Sequence, residues 1–508
     1  MPELRHPLAL CAAALGLGVC ADLLFYDRAP GLSVPLFVGL LLAAWGWLSR
    51  AEGHEPRPGN RWLGAAALGF ACLAALRAAP LLIALNILAA LGLLLLFAAL
   101  ARAESLRRLE GWRVGLGTAL AACEAALFPA LLVFSQAGRL RVTGRHARAL
   151  LVVGRGAVLA APVLLVFTGL LAMADSIFAS YVVDLLSLRL PFDLDALAGH
   201  GVMVGFVAWC AAGGLLVALR EHPAGALLGP PGASLPAEGE TQRLSLPLRL
   251  RFLGWGEAVT VLALVDALFV AFMAIQGAYL FGGLSTLERT GMTFAEYARR
   301  GFFELVTVAC LTLGFLWALA IVTRRERHGQ LRLFNGLCAA MVLLVLGMLA
   351  SAALRMWLYE QAYGFTLLRV LTHSFMAWLA VVLLLFLVSL LLARPRLFTL
   401  GAPAAALVYL LALNLLNPDA LIVRENVARY QATGKLDAAY LGTLSADAAP
   451  ELVRALPLAG EHREQLTAQL LTLKERLDAA AARDGLPGWN AGRAQAVALL
   501  ERELAGAE

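Results

Sequence analysis

The feature that most constrains this chain is a succession of long apolar runs. About eleven of them reach roughly 18–20 residues or more, enough for a helix to cross the ~30 Å hydrocarbon layer of a bilayer. In hydrocarbon a backbone must satisfy its own hydrogen bonds, so runs of this kind fold as helices packed on one another. The expected fold class is therefore all-α: a polytopic transmembrane bundle of about 11 spans (10–13 possible) with a small C-terminal helical extramembrane domain. The spans are placed at 7–25, 31–48, 62–79, 80–100, 150–173, 201–219, 254–281, 301–322, 333–358, 365–393 and 397–416. A further apolar stretch, 112–138, holds Glu124 and Pro129 near its middle and reads as an interfacial or re-entrant segment, or as two short crossings. Composition agrees: 61% of the 508 residues are hydrophobic and 15% charged, against ~25% charged in ordinary soluble domains. That balance excludes a soluble enzyme and a disordered chain.

The charges set the orientation. All but two of the basic residues are arginine, and the two lysines, Lys435 and Lys474, stand near the C-terminus. With the N-terminus cytoplasmic and 112–138 not crossing, the inside segments hold 22 arginines and the outside loops 6. This is the bias that cytoplasmic loops carry. The expected location is a bacterial inner membrane, with the tail 417–508 on the extracytoplasmic side. The chain divides accordingly into an N-terminal transmembrane region (1–149), a transmembrane core (150–416) and the helical tail. The tail carries 10 basic and 13 acidic residues, and Leu466, Leu470, Leu473 and Leu477 mark one helical face. Ser445 suits a helix cap, and "DGLPG" at 484–488 stops a helix. Residues 220–253 read as a flexible loop.

The seven cysteines all lie in apolar runs, as small buried hydrophobes do. There is no HExxH, GxSxG, P-loop or GxGxxG motif, and His146, His222 and His328 lack metal-ligand spacing. Neither catalytic residues nor a metal or cofactor are expected. No basic-aromatic ladder suggests nucleic acid; the partners expected are the lipid bilayer and an anionic lipid or an envelope protein meeting 417–508. "GVMVG" at 201–205 would permit close helix packing, and Trp62, Trp112, Trp255 and Trp357 suit interface anchors.

Four segments together carry a resemblance: "GEAVTVLALVDALFVAFMAIQGAYLFGG" (256–283), "MTFAEYARRGFFELVTVACLTLG" (292–314), "SAALRMWLYEQAYGFTLLRVLTHSFMAW" (351–378) and "LNPDALIVRENVARYQATGKLDAAYLGTLSADAAPELVRAL" (416–456). The chain resembles the bacterial multi-pass membrane family called domain of unknown function 4173, related to 4153. That resemblance implies an inner-membrane protein and no reaction.

Ionisable groups inside spans cost a few kcal/mol and normally face a bundle interior. Glu257 and Asp266 are candidate intramembrane carboxylates; nine residues apart, they point to opposite faces of one helix. A short loop at 359–364 should make its flanking spans an antiparallel pair. Arg299, Arg300, Glu304, Arg355, Tyr359, Glu360 and Arg369 would then meet at one interface, with His373 one turn beyond Arg369. This cluster reads either as a salt-bridge network pinning helix ends or as a site for an anion such as a lipid phosphate. Three functions stay open: a non-enzymatic scaffold or sensor, a secondary transporter or channel for a small or anionic solute, and a membrane-embedded enzyme on a lipid-linked substrate.

Overall fold

In the computed structural model, the described residues are 5–53, 58–101, 194–219, 255–281, 302–323 and 328–504, with a few between 117 and 129. The span expected at 150–173, the loop at 220–253, Trp112 and nearly all of 112–138 lie outside them. Among the described residues every regular element is helical. Among the described residues, seven helices are long and apolar enough to cross a membrane, and three more apolar helices are shorter. The residues form two compact units, Met1–Ala233 with Glu475–Val497, and Ser234–Lys474 with Ala498–Glu508.

The first unit contains α1 (Pro7–Phe25), α2 (Ser33–Ala51), α3 (Arg61–Leu76), α4 (Pro80–Leu100) and α5 (Leu194–Leu219). Proline opens α1 and α4, where its missing N–H is not needed. Helices α1, α2 and α5 share a core of Leu10, Leu17, Leu48, Leu215 and Leu216. A second core joins α2, α3 and α4 through Val34, Val38, Ala71, Ala74 and Ile83. Close packing of α1 on α5 depends on Gly18, where a side chain would strike the Val204 carbonyl. Gly201 and Gly205 of the "GVMVG" pattern have open space instead: the contact uses the small residue of α1, because the glycines of α5 face away from it.

At one end of this unit Glu52 accepts from the Arg5 and His6 N–H groups, both at 2.9 Å. There too Asn60 donates to the Leu100 carbonyl. The α1–α2 and α3–α4 turns lie at the other end, and residues 484–493 of the tail pack there.

The second unit contains α6 (Trp255–Phe281), α7 (Phe302–Val322), α8 (His328–Tyr363), α9 (Leu367–Leu391) and α10 (Pro395–Leu416). Trp255 donates to the Gln330 carbonyl, and Met273 packs at Gly347, so α6 and α8 run in the same direction. Their shared core, with α7 and α9, centres on Leu262, Leu316, Phe334, Met341, Val345 and Leu383. Apolar side chains elsewhere on these helices, such as Leu264, Leu268 and Leu343, are exposed, as lipid-facing positions are.

Asn417, at φ 50°, ends α10 and caps the next helix. The tail then forms α11 (Pro418–Thr433), α12 (Ala438–Leu441), α13 (Ala449–Ala455), α14 (Arg463–Asp484) and α15 (Ala491–Leu504). Ser445 accepts from the Asp447 N–H, capping a single 3-10 turn before α13. The "DGLPG" stop holds, with Gly485 at φ 59°. Within the second unit a small core of Ile422, Val423, Leu441, Leu452, Leu466 and Leu470 includes Val370 of α9. The tail is thus continuous with the end of a spanning helix.

Candidate functional site

The α8–α9 turn is where side-chain chemistry concentrates. A helix leaves its last four carbonyls without helical partners, and the 36-residue α8 finds most of them at this turn. Three of the four, those of Glu360, Gln361 and Tyr363, have donors in the turn and the tail. Gly364, at φ 81°, folds back its N–H onto the Glu360 carbonyl at 2.8 Å. Arg429 of α11 donates to the Gln361 carbonyl at 3.0 Å. Arg369 of α9 donates to the Tyr363 and Gly364 carbonyls, at 3.2 and 2.6 Å. Its guanidinium also lies over the Tyr359 ring, 4.3 Å from the centroid. Tyr359 in turn packs on Tyr363.

The tail closes the turn. Asn426 of α11 accepts from the Phe365 N–H at 3.0 Å and donates back to the Phe365 carbonyl at 2.8 Å, so one amide pairs with both backbone groups. The Tyr440 hydroxyl accepts from the Leu367 N–H at 2.7 Å. Burial raises the pKa of that hydroxyl, the Leu367 N–H opposes the shift, and the group is neutral at pH 7. Directly beneath, Glu360 is only 3% exposed, and His373 Nδ1 stands 3.1 Å from its Oε2.

The expected cluster thus comes together in part. Tyr359, Glu360 and Arg369 meet at this turn, and Arg355 is half-buried one helical turn before Tyr359. Arg299 and Arg300 lie outside the described residues. Glu304 is in the first turn of α7 and Glu257 in that of α6; their side chains are outside the described residues. The partners of Arg369 are backbone carbonyls and an aromatic face, the set that pins a helix end.

Asp266 lies alone. It is 7% exposed, on the face of α6 that also carries Ala258, Leu262 and Phe269 toward α8, and neither carboxyl oxygen has a hydrogen-bond partner.

A second imidazole–carboxylate pair escaped the sequence reading. His200 Nδ1 stands 2.8 Å from both oxygens of Asp22, joining the start of α5 to the end of α1. The Tyr26 ring stacks on the imidazole at 3.7 Å. The partners are 178 residues apart: Asp22 stands out as an acid near the end of an apolar run and His200 opens another, but nothing local pairs them. Among the described residues, no three His, Cys, Asp or Glu side chains gather as a metal site would require.

No curated protein matches this chain, and no solved structure does. The model of one family does match, over most of the chain, and it is that of the related family 4153 and not of 4173. Residues 64–455 fit it, including the α8–α9 turn and the tail as far as α13, and the chain therefore belongs to the family described as domain of unknown function (DUF4153).

Proposed function

We propose that this is a bacterial inner-membrane protein acting without catalysis, as a scaffold or sensor whose extracytoplasmic helical tail is coupled to the ends of its spanning helices. One observation carries this reading: Asn426, Arg429 and Tyr440 of the tail complete the hydrogen bonds of the α8–α9 turn, directly above the Glu360–His373 pair. A tail bound in this way transmits a load or a ligand to a spanning hairpin, since displacing it strips partners from Gln361, Phe365 and Leu367. The arginine bias supports the extracytoplasmic side for the tail.

The test is hydrogen exchange on the full-length protein in nanodiscs, comparing wild type with Asn426→Ala. Faster exchange at 360–370 as well as in α11 is expected. Unchanged exchange at 360–370 overturns the coupling. A C-terminal reporter that is active only in the cytoplasm, fused to the full chain, should be silent.

Asp266 favours a second reading, a transporter that couples a cation or proton to a small solute, since among the described residues its buried carboxyl has no hydrogen-bond partner, and acids inside spans can mark ion or proton paths. Proteoliposomes should then show a flux that Asp266→Asn abolishes; no flux in either removes this reading.

A further inference from the structure

We propose that the 485–489 turn of the tail is a membrane-interface anchor, with Leu486 and Trp489 inserted among the lipid headgroups of the leaflet reached by the α1–α2 and α3–α4 turns. The first support is position. The Leu32 N–H donates to the Trp489 carbonyl at 2.7 Å and the Ser33 N–H to the Pro487 carbonyl at 2.8 Å. Asn490 donates to the Ala74 and Arg77 carbonyls at 3.2 and 2.8 Å. Arg493 donates to the Pro30 carbonyl at 2.7 Å. These bonds tie the turn to the first residue of α2 and the last turn of α3, the level at which the apolar helices end.

The second support is what the turn leaves outside. Its backbone faces the protein so closely that Gly31 has no room for a side chain against the Gly488 and Trp489 carbonyls. Asp484 and Asn490, which flank the turn, are buried. The two large apolar side chains go the other way: Leu486 is 72% exposed and Trp489 45%. At the same level Leu76, ending α3, and Leu81, opening α4, are also exposed. The apolar surface of the spanning helices therefore continues onto the tail. An indole at the end of such a surface suits the headgroup region, where its ring is shielded and its N–H stays near water. Arg483 is paired with Asp484 at 2.8 Å, so the contact with lipid rests on the leucine and the indole and not on a basic patch.

The experiment uses the full-length protein with fluorinated tryptophan in nanodiscs of phosphatidylethanolamine and phosphatidylglycerol. Trp489→Phe identifies the Trp489 resonance. Leu471→Trp, at an exposed site on α14, supplies an aqueous reference. Nitroxide on the lipid headgroup or high on the acyl chain should broaden the Trp489 signal at least twofold more than nitroxide near the chain end. A water-soluble gadolinium chelate should broaden it severalfold less than the reference. Leu486→Trp should add a resonance behaving in the same way. Equal broadening of Trp489 and the reference by the chelate, without a lipid effect, overturns the proposal. So does shielding from both agents, which would mean that protein covers the turn.

Discussion

Each of the two units receives the tail at a helical hairpin, and each does so with a glycine and an asparagine. In the first, Gly31 lies against the tail's backbone and Asn490 reaches over to the end of α3. In the second, Gly364 lies against the side chain of Asn426, whose amide pairs with Phe365. The difference is in what each glycine meets. Gly31 faces the Gly488 and Trp489 carbonyls, in a stretch held by the Leu32 N–H on the Trp489 carbonyl and the Ser33 N–H on the Pro487 carbonyl, so this backbone cannot move without breaking the docking. Gly364 faces a side-chain oxygen 2.5 Å from where a Cβ would sit, and its own φ of 81° is the tighter constraint. One junction is specified by shape, the other by backbone conformation and side-chain chemistry.

Substitutions should separate the two. Gly31→Ala should have the largest effect, about 3 kcal/mol, because overpacking against fixed backbone has no relaxed alternative. Hydrogen exchange should show 484–493 released while 360–370 keeps its protection; release of both would erase the distinction between the junctions. Gly364→Ala should cost about 2 kcal/mol, from the left-handed φ and the displaced Asn426 amide, with the effect confined to the second unit. Asn490→Ala should cost about 2 kcal/mol by leaving the Ala74 and Arg77 carbonyls without their donor. It should loosen the α3–α4 turn, measured as exchange at 77–80. Tyr440→Phe should be mildest, about 1 kcal/mol for one N–H left without its acceptor. A loss equal to that from Gly364→Ala would shift the weight of the second junction from the glycine to the tyrosine.

The spanning helices were legible because hydropathy is local. The expected spans 7–25 and 80–100 coincide with α1 and α4, and 254–281 differs from α6 by one residue. Helix α8 begins and ends several residues beyond the apolar run at 333–358, since its polar ends continue the helix outside the hydrocarbon length. In the tail, α11 went unanticipated: its mixed face, with Ile422 and Val423 buried beside Asn426, carries no clean stripe. At the α8–α9 turn the short loop was enough to bring Tyr359, Glu360 and Arg369 together. The partner of His373 was not legible, because the pattern along α9 pairs it with Arg369 whereas the turn presents Glu360. Asn490 and Ala74 are 416 residues apart, beyond any local signal.

That separation also has a meaning in time. Ribosomes extend a chain at roughly 5–20 residues per second, so α1–α4 enter the membrane some tens of seconds before Asn490 is made. During that interval the α3 carbonyls and the Leu32 and Ser33 N–H groups must be served by water or by lipid headgroups. The last-made helices thus finish the first-inserted hairpins. A chain that stopped short of residue 484 would hold its spans and yet show an unfinished membrane edge, open to the proteases that survey newly inserted proteins.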